Sequence, residues 1–270
     1  MYSDPFKAVT RKLSDNVLIA SAPFSIFNRL RVGARMSLFH YDGKVVVYSA
    51  FPYGSEVVRA LKELTGKDEF DVSHIIVPNK EHYKAVGGFK RAFPKAKVIT
   101  SEKFQTDEFE VDYRIPFSEG NKVLDEKALK AIGIKEESFL KNFQLVFLSR
   151  HRLKELVLYD KNSKFVTSAD FALSFSSGRD GVEQYAEETG WPKGSNPYSG
   201  WSYLLRWCYP GNKLWVNQVN KSNMTDTEEG RAGIKAIYSL DFTKLIPCHG
   251  NILDDGKQVL TSYFSFLDTK

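Results

Sequence analysis

The order of strand-like and helix-like stretches constrains this chain most. The first quarter reads as strands: Asn16-Val-Leu-Ile-Ala20, Arg35-Met-Ser-Leu-Phe-His-Tyr41 and Lys44-Val-Val-Val-Tyr-Ser49. Only Asp42-Gly43 separates the last two, and an Asp-Gly link between β-rich runs predicts a hairpin. Ser55 to Leu64 has apolar residues at helical spacing behind a Ser cap, and Gly66 stops it. Strand and helix then alternate: a strand over 72–77, a helix over 83–93 that ends before Pro94, and a strand over 97–100. Residues 101–141 are charged and less regular, with one helix near 125–132. A second strand-rich part follows, with Asn142–Leu148, Leu156–Tyr159 and Lys164–Thr167 joined by short links as an antiparallel meander. Thr225–Leu240 reads as a helix, Phe242–Pro247 as a short strand and Lys257–Leu267 as a closing helix. Two strand-rich parts with helices between and at the ends predict two sheets, each covered by helices on its outer face.

With 270 residues, 42% of them hydrophobic, the chain can build a sizeable core. It reads as one α/β (α+β) domain over 1–270, with an aromatic-rich insertion at about 174–215. That stretch carries Gly, Pro, Ser and all four tryptophans: Trp191, Trp201, Trp207 and Trp215. The net charge of +5 is spread along the chain without a basic block. Nucleic acid is therefore not an expected partner, whereas a small anionic substrate fits. Cys208 and Cys248 are too few for a disulfide framework and form no CxxC pair, so reduced thiols in a cytoplasmic protein are expected. No stretch approaches the roughly 18 apolar residues that span a bilayer, and no secretory leader is recognisable, so a membrane is not expected as a partner.

The segment most suggestive of chemistry is Val77-Pro-Asn-Lys-Glu-His-Tyr-Lys-Ala-Val-Gly-Gly88. An apolar run meets a Pro-Asn breaker, then a single His82, then a Gly-Gly pair. That is how a metal ligand is presented from the loop after a buried strand. His151, Asp170 and His249 sit beside other β-like segments. Three imidazoles and one carboxylate suit a single divalent ion, Zn2+ ahead of Fe2+; two ions would need more ligands. Glu81 is a candidate general base beside Asp170. Lys80 and Lys84 are candidates for holding an anionic substrate, and Trp201 and Trp207 for lining its pocket under a covering insertion. Each residue also has a structural reading. His82 can be a hydrogen-bonded core histidine, His151 a surface residue between Arg150 and Arg152, Asp170 a turn cap and His249 a loop residue. For the insertion, the alternative is a structural or dimer-forming role. Cys248 reads as a small buried filler, and no P-loop, GxGxxG, GxSxG or HExxH element is present.

Four stretches together resemble the metallo-β-lactamase superfamily. Its first motif, T-H-x-H-x-D-H-x-G-G, aligns with Asn79 to Gly88, where only the second His is kept, as His82. Lys80 stands at the first His, Lys84 at the Asp and Ala85 at the last His. His151-Arg-Leu-Lys-Glu-Leu-Val-Leu158 is similar to the family's His before an apolar strand but lacks Pro-Gly. Phe165-Val-Thr-Ser-Ala-Asp170 is similar to the strand ending in Asp, and Pro247-Cys-His-Gly250 to P-G-H-G. Two further stretches, Gly33-Ala-Arg-Met36 to Tyr48-Ser-Ala-Phe-Pro52 and Pro78 to His82, resemble a subgroup known as the domain of unknown function DUF4336. The resemblance implies a four-layer αββα sandwich. It also implies a metal-dependent hydrolase whose metal-bound water attacks an ester, lactone, amide or phosphoester of a small molecule. The same fold admits a non-catalytic, metal-free ligand- or partner-binding member and an iron-dependent oxidoreductase, and a homo-oligomer is compatible with each.

Overall fold

Both strand-rich parts of the sequence form sheets in the computed structural model, which describes residues 1–175 and 183–268. The first part contains β1 (Val9–Ser14), β2 (Val17–Ala22), the two-residue strands β3 (Ser25–Ile26) and β4 (Leu30–Arg31), β5 (Ala34–Tyr41) and β6 (Lys44–Tyr48). It continues with α1 (Ser55–Thr65), β7 (Val72–Ile76), α2 (Val86–Ala92), β8 (Lys97–Ser101) and β9 (Tyr113–Ile115). The second part holds β10 (Val123–Leu124), α3 (Glu126–Ile132), α4 (Glu137–Asn142), β11 (Phe143–Leu148), β12 (Glu155–Asp160) and β13 (Phe165–Ser168). Then come α5 (Lys213–Ser222), α6 (Glu228–Ser239), β14 (Lys244–Pro247) and α7 (Gly256–Tyr263).

The first sheet has the order β1-β2-β5-β6-β7-β8-β9, antiparallel as far as β6 and parallel from there on. The second runs β10-β11-β12-β13-β14: an antiparallel meander to which β14 adds in parallel beside β13. Strand alternation sorts the core into layers. Leu145 and Phe147 of β11 meet Ile19, Phe39 and Ile76 of the first sheet between the two sheets. Their neighbours Val146 and Leu148 face outward, against Ile234 and Ile237 of α6 and Leu260 of α7. On the far side, Val57, Ala60, Leu61 and Leu64 of α1 recur at helical spacing and bury against Leu18, Leu38 and Val47. Helix, sheet, sheet, helix is the four-layer αββα order.

Local chemistry shifts several boundaries. Ser55 is the first residue of α1 rather than its cap; Gly54 stands at the N-cap, without a side-chain hydrogen bond. The helix expected from residue 83 begins at Val86, because Asn79 bends the preceding residues into turns. Asp42 and Gly43 both take positive φ, as a two-residue hairpin demands. The unexpected strand β1 is an edge strand with its middle pair, Arg11 and Lys12, exposed. Of the stretch 174–215, residues 176–182 lie outside the described residues. The rest builds a small core of Phe175, Tyr185, Tyr198 and Leu205 around Val32 and runs on into α5.

The topology brings distant residues to one end of the two sheets. His82 follows β7, Asp170 follows β13 and His249 follows β14. Because β13 and β14 are parallel and paired Ser168 to Pro247, the residues just beyond them are neighbours. The β7 exit is tied to the second sheet, since Leu156 N donates to Pro78 O at 2.7 Å and Tyr48 Oη donates to Leu156 O at 2.7 Å.

Candidate metal centre

His249 is the most constrained member of the cluster. Its Nδ1 lies 2.6 Å from the Gly33 carbonyl. A carbonyl only accepts, so Nδ1 carries the proton and the Nε2 lone pair is left free. That Nε2 stands 3.8 Å from Asp170 Oδ1. Burial pushes the His249 imidazole down to about 4, and the positive His82 adds to this against the pull of Asp170. The histidine is therefore neutral at physiological pH, as a ligand must be.

The turn that carries His249 is braced from the first sheet. Arg35, a buried residue of β5, donates to Pro247 O at 2.5 Å and to Gly250 O at 3.0 Å. Gln184 Nε2 donates to Gly250 O at 2.9 Å. Gly250 has φ +72°, and a Cβ there would run into the Ser174 carbonyl oxygen, so the turn needs glycine on two counts. Gly33 has φ +65°, and its Cβ would sit 2.6 Å from Gln184 Cβ.

His82 is presented differently. Asn79 Oδ1 accepts from Glu81 N at 2.9 Å, and Asn79 O accepts from His82 N at 3.2 Å, which folds the chain back after β7. The imidazole Nδ1 lies 2.9 Å from Ser49 Oγ, and Nε2 lies 3.3 Å from Asp170 Oδ2. Burial alone would lower the proton affinity of this ring. The neighbouring Asp170, 3.3 Å from Nε2, with Cys248 behind it, outweighs that and holds the ring well above the usual value.

Asp170 joins the two. Asn79 Nδ2 donates to its Oδ2 at 2.9 Å. Burial would raise this carboxyl, but the hydrogen bond and charge of His82, with His249 and Asn79 behind them, hold it well below the carboxylate range. Its backbone is fixed by Glu155, which is fully buried and accepts from Ala169 N at 2.7 Å and Asp170 N at 2.8 Å. Burial and then the charge of Asp170 push Glu155 up to about 8.

One donor atom from each of His82, Asp170 and His249 lies within 4.8 Å of the others. The edge of a tetrahedron with metal–ligand bonds of about 2.1 Å is about 3.4 Å. The two imidazoles lie 3.3 and 3.8 Å from different oxygens of the one Asp170 carboxylate, so the trio has the size that surrounds one ion. Two imidazole nitrogens and one carboxylate make a three-point set with open positions, compatible with Zn2+ or Fe2+. The His82 proton facing Asp170 marks the place a cation would take, since binding requires that proton to leave.

His151 stands outside the set of donors within 4.8 Å. It is buried in the turn between β11 and β12. Its Nδ1 is 3.7 Å from Glu155 Oε2 and has no hydrogen-bond partner. Burial, against the pull of Asp170, pushes it down to about 4. The four expected ligands thus separate into a trio and a neighbour. Lys80, Glu81 and Lys84 are exposed on the His82 turn. Trp201 and Trp207 are exposed on a 3-10 helix, Gly200–Trp207, where the Arg29 guanidinium lies over the Trp201 ring and Tyr203 meets Trp207 edge to face. Cys248 is buried in the core between the sheets.

Reading the sequence did not single out Ser49, Asn79, Arg35, Gly33 or Glu155 as site residues. Four of them lie in the stretches Gly33 to Pro52 and Pro78 to His82, noted for strands, a Pro-Asn breaker and a resemblance, and the structure supplies the contacts that these residues make. Glu155 gave a weaker signal: a carboxylate directly before the apolar run Leu156–Tyr159.

No protein-family model matches the chain, and no curated protein matches it by sequence. Solved structures do match in fold. A metallo-β-lactamase from Hirschia baltica superposes with TM-score 0.57 at 9% identity, covering 98% of this chain and 99% of its own. The metallo-β-lactamase DIM-1, in crystals exposed to ceftazidime, gives 0.54 at 11% identity, with 96% and 95% covered. The metal-soaked Flv1 flavodiiron core from Synechocystis gives 0.60 at 13% identity, covering 97% of this chain and 61% of that one. The chain has the metallo-β-lactamase fold.

Proposed function

We propose that this chain is a metal-dependent hydrolase acting on an ester, lactone, amide or phosphoester of a small molecule, with one divalent ion on His82, Asp170 and His249. The observation that carries the reading is the Gly33 carbonyl on His249 Nδ1, which leaves Nε2 aimed at the same point as Asp170 and His82. A divalent ion there would polarise a substrate oxygen and make water nucleophilic near neutral pH. The protein's own part is orientation and proton handling. Ser49 and Gly33 fix the two imidazoles, and Asn79 and Glu155 fix Asp170. With an ion held by one Asp170 oxygen, the other would be left to orient the attacking water by accepting a hydrogen bond from it. Glu81, exposed on the same turn, is the second candidate base. Lys80 and Lys84 give the His82 side a positive rim that favours an anionic substrate. In this reading the chain is a member of the DUF4336-type subgroup, with a reduced set of metal ligands.

Fe2+ is the second choice of ion, because the two-imidazole, one-carboxylate set also serves non-haem iron and an oxidoreductase chemistry. Metal content of protein purified from medium supplied with both zinc and iron tests the proposal. About one ion per chain is expected, zinc ahead of iron, and its loss in His249→Ala and His82→Ala. Metal-free protein, or an ion retained in both variants, overturns the assignment. Iron with oxygen consumption would move it to the oxidoreductase reading.

A further inference from the structure

Away from the metal centre, the 3-10 helix Gly200–Trp207 is turned inside out. With three residues per turn, positions three apart share a stripe. Trp201, Leu204 and Trp207 form the most apolar stripe and are 72%, 71% and 42% exposed, whereas Ser202 and Leu205 on the next stripe are buried. The helix packs on the β3–β4 hairpin through Ser202 Oγ, which accepts from Arg31 N at 2.8 Å and donates to Arg29 O at 3.2 Å. At the hairpin tip Phe27 and Asn28 both take positive φ, 50° and 54°. A bulky residue rarely adopts that conformation, and here it leaves Phe27 89% exposed. Two separate elements therefore project aromatic and aliphatic side chains into solvent side by side.

The side chains that lie over these rings are cationic, and the carboxylates nearest to the 3-10 helix in sequence, Glu187 and Glu188, stand just before its stretch, with Glu187 3.8 Å from Lys193. Arg29 lies over the Trp201 ring at 5.7 Å and Arg206 over Tyr203 at 4.8 Å. Neither residues 16–41 nor residues 190–225 contain an Asp or Glu. An even spread of the chain's 33 acidic residues would place about eight in these two stretches.

We propose that this face docks on an anionic lipid bilayer surface, with Phe27, Trp201 and Leu204 entering the interface and Arg29 and Arg206 meeting headgroup phosphates. Trp and other large apolar side chains partition to the interface, and cations add attraction to anionic lipid. The projections stand well out into solvent, Phe27 at 89% exposure, which suits insertion into a fluid phase. A second copy is disfavoured by charge, since a two-fold contact would set Arg29 and Arg206 against their own kind. Among the described residues no helix is long and apolar enough to cross a membrane. Surface docking needs none, and in this respect it revises the expectation of no membrane partner. Phe24, just before the hairpin, stacks on His249 with ring centroids 6.2 Å apart, so the segment leading into the hairpin touches the candidate metal centre.

Vesicle co-sedimentation of the full chain tests this. With vesicles of about seven parts phosphatidylcholine to three parts phosphatidylglycerol, the protein is expected to pellet, and with phosphatidylcholine alone to stay largely in solution. Raising salt to about 1 M, where the screening length is about 3 Å, should release much of it. Trp201→Ser with Leu204→Ser should weaken binding about tenfold or more. Phe27→Ser on the other element, and Arg29→Glu with Arg206→Glu, should weaken it independently, each with an unchanged circular dichroism spectrum. Failure to bind the mixed vesicles, or binding that none of the three variants alters, overturns the proposal. So does self-association of the wild type that the Trp201→Ser, Leu204→Ser variant abolishes without any vesicle binding; that result would assign the face to a second copy. Metal content is read separately and is unaffected by either outcome.

Discussion

Two turns each deliver one histidine to the centre, and they are built in opposite ways. The Pro247–Gly250 turn is buried and braced by the Arg35 guanidinium from the first sheet, by the Gln184 amide from the insertion and by the Gly33 carbonyl just before β5. The Asn79–Ala85 turn is held by one asparagine side chain and one serine hydroxyl, and it exposes Lys80, Glu81 and Lys84. The difference teaches where the site is pre-formed. His249 has a fixed tautomer and almost no freedom, whereas His82 holds its place largely through Asp170 and Ser49. The second sheet supplies the rigid half of the centre and the first sheet the adjustable half.

Breaking the rigid half should cost most. Arg35→Met removes charged donors from two carbonyls and is expected to destabilise the fold by about 3 kcal/mol. Urea unfolding would measure it, and a loss near zero would mean that the turn is not braced as described. Gly250→Ala places a side chain on positive φ and against Ser174 O, and should cost at least about 2 kcal/mol. Changes in the adjustable half should spare stability and act on metal affinity instead. Asn79→Ala frees both the turn and Asp170, so zinc affinity should fall about 10–100-fold by competition with a chelator, with Ser49→Ala nearer tenfold. Equal stability losses in the Asn79 and Arg35 variants would erase the contrast. A control lies outside both turns. His74, whose Nε2 lies 3.5 Å from Glu136 Oε2, holds Glu136 against burial down to about 2 from an ordinary 4.5, helped by the Tyr113 hydroxyl, which donates to it at 3.0 Å. Its contribution to stability is present above about pH 4.5 and is lost as pH falls toward 2. Glu136→Gln should flatten that acid limb and leave zinc affinity unchanged.

The sequence made the layers legible because each sheet face is written as alternation: Leu145 and Phe147 inward, Val146 and Leu148 outward. The hairpin at Asp42-Gly43 and the stop at Gly66 were legible because few residues take positive φ without strain. The convergence of His82, Asp170 and His249 could be anticipated only through motif order, since it depends on β13 and β14 pairing across a long excursion. Which residues orient those ligands was not legible. Arg35 acts on Pro247 and Gly250 from more than two hundred positions away, and the Gly33 contact is made by a carbonyl, which every residue has. The separation of His151 from the trio was hidden for a similar reason. A histidine beside a strand reads alike whether its ring faces the centre or, as here, lies against Glu155.

The most direct test of the central claim is an anomalous difference map from crystals of the zinc-loaded protein. One peak is predicted, about 2.0–2.2 Å from Nε2 of His82, Nε2 of His249 and an oxygen of Asp170. A map with no peak there, or with zinc bound elsewhere while these three side chains remain hydrogen-bonded to one another, would contradict it.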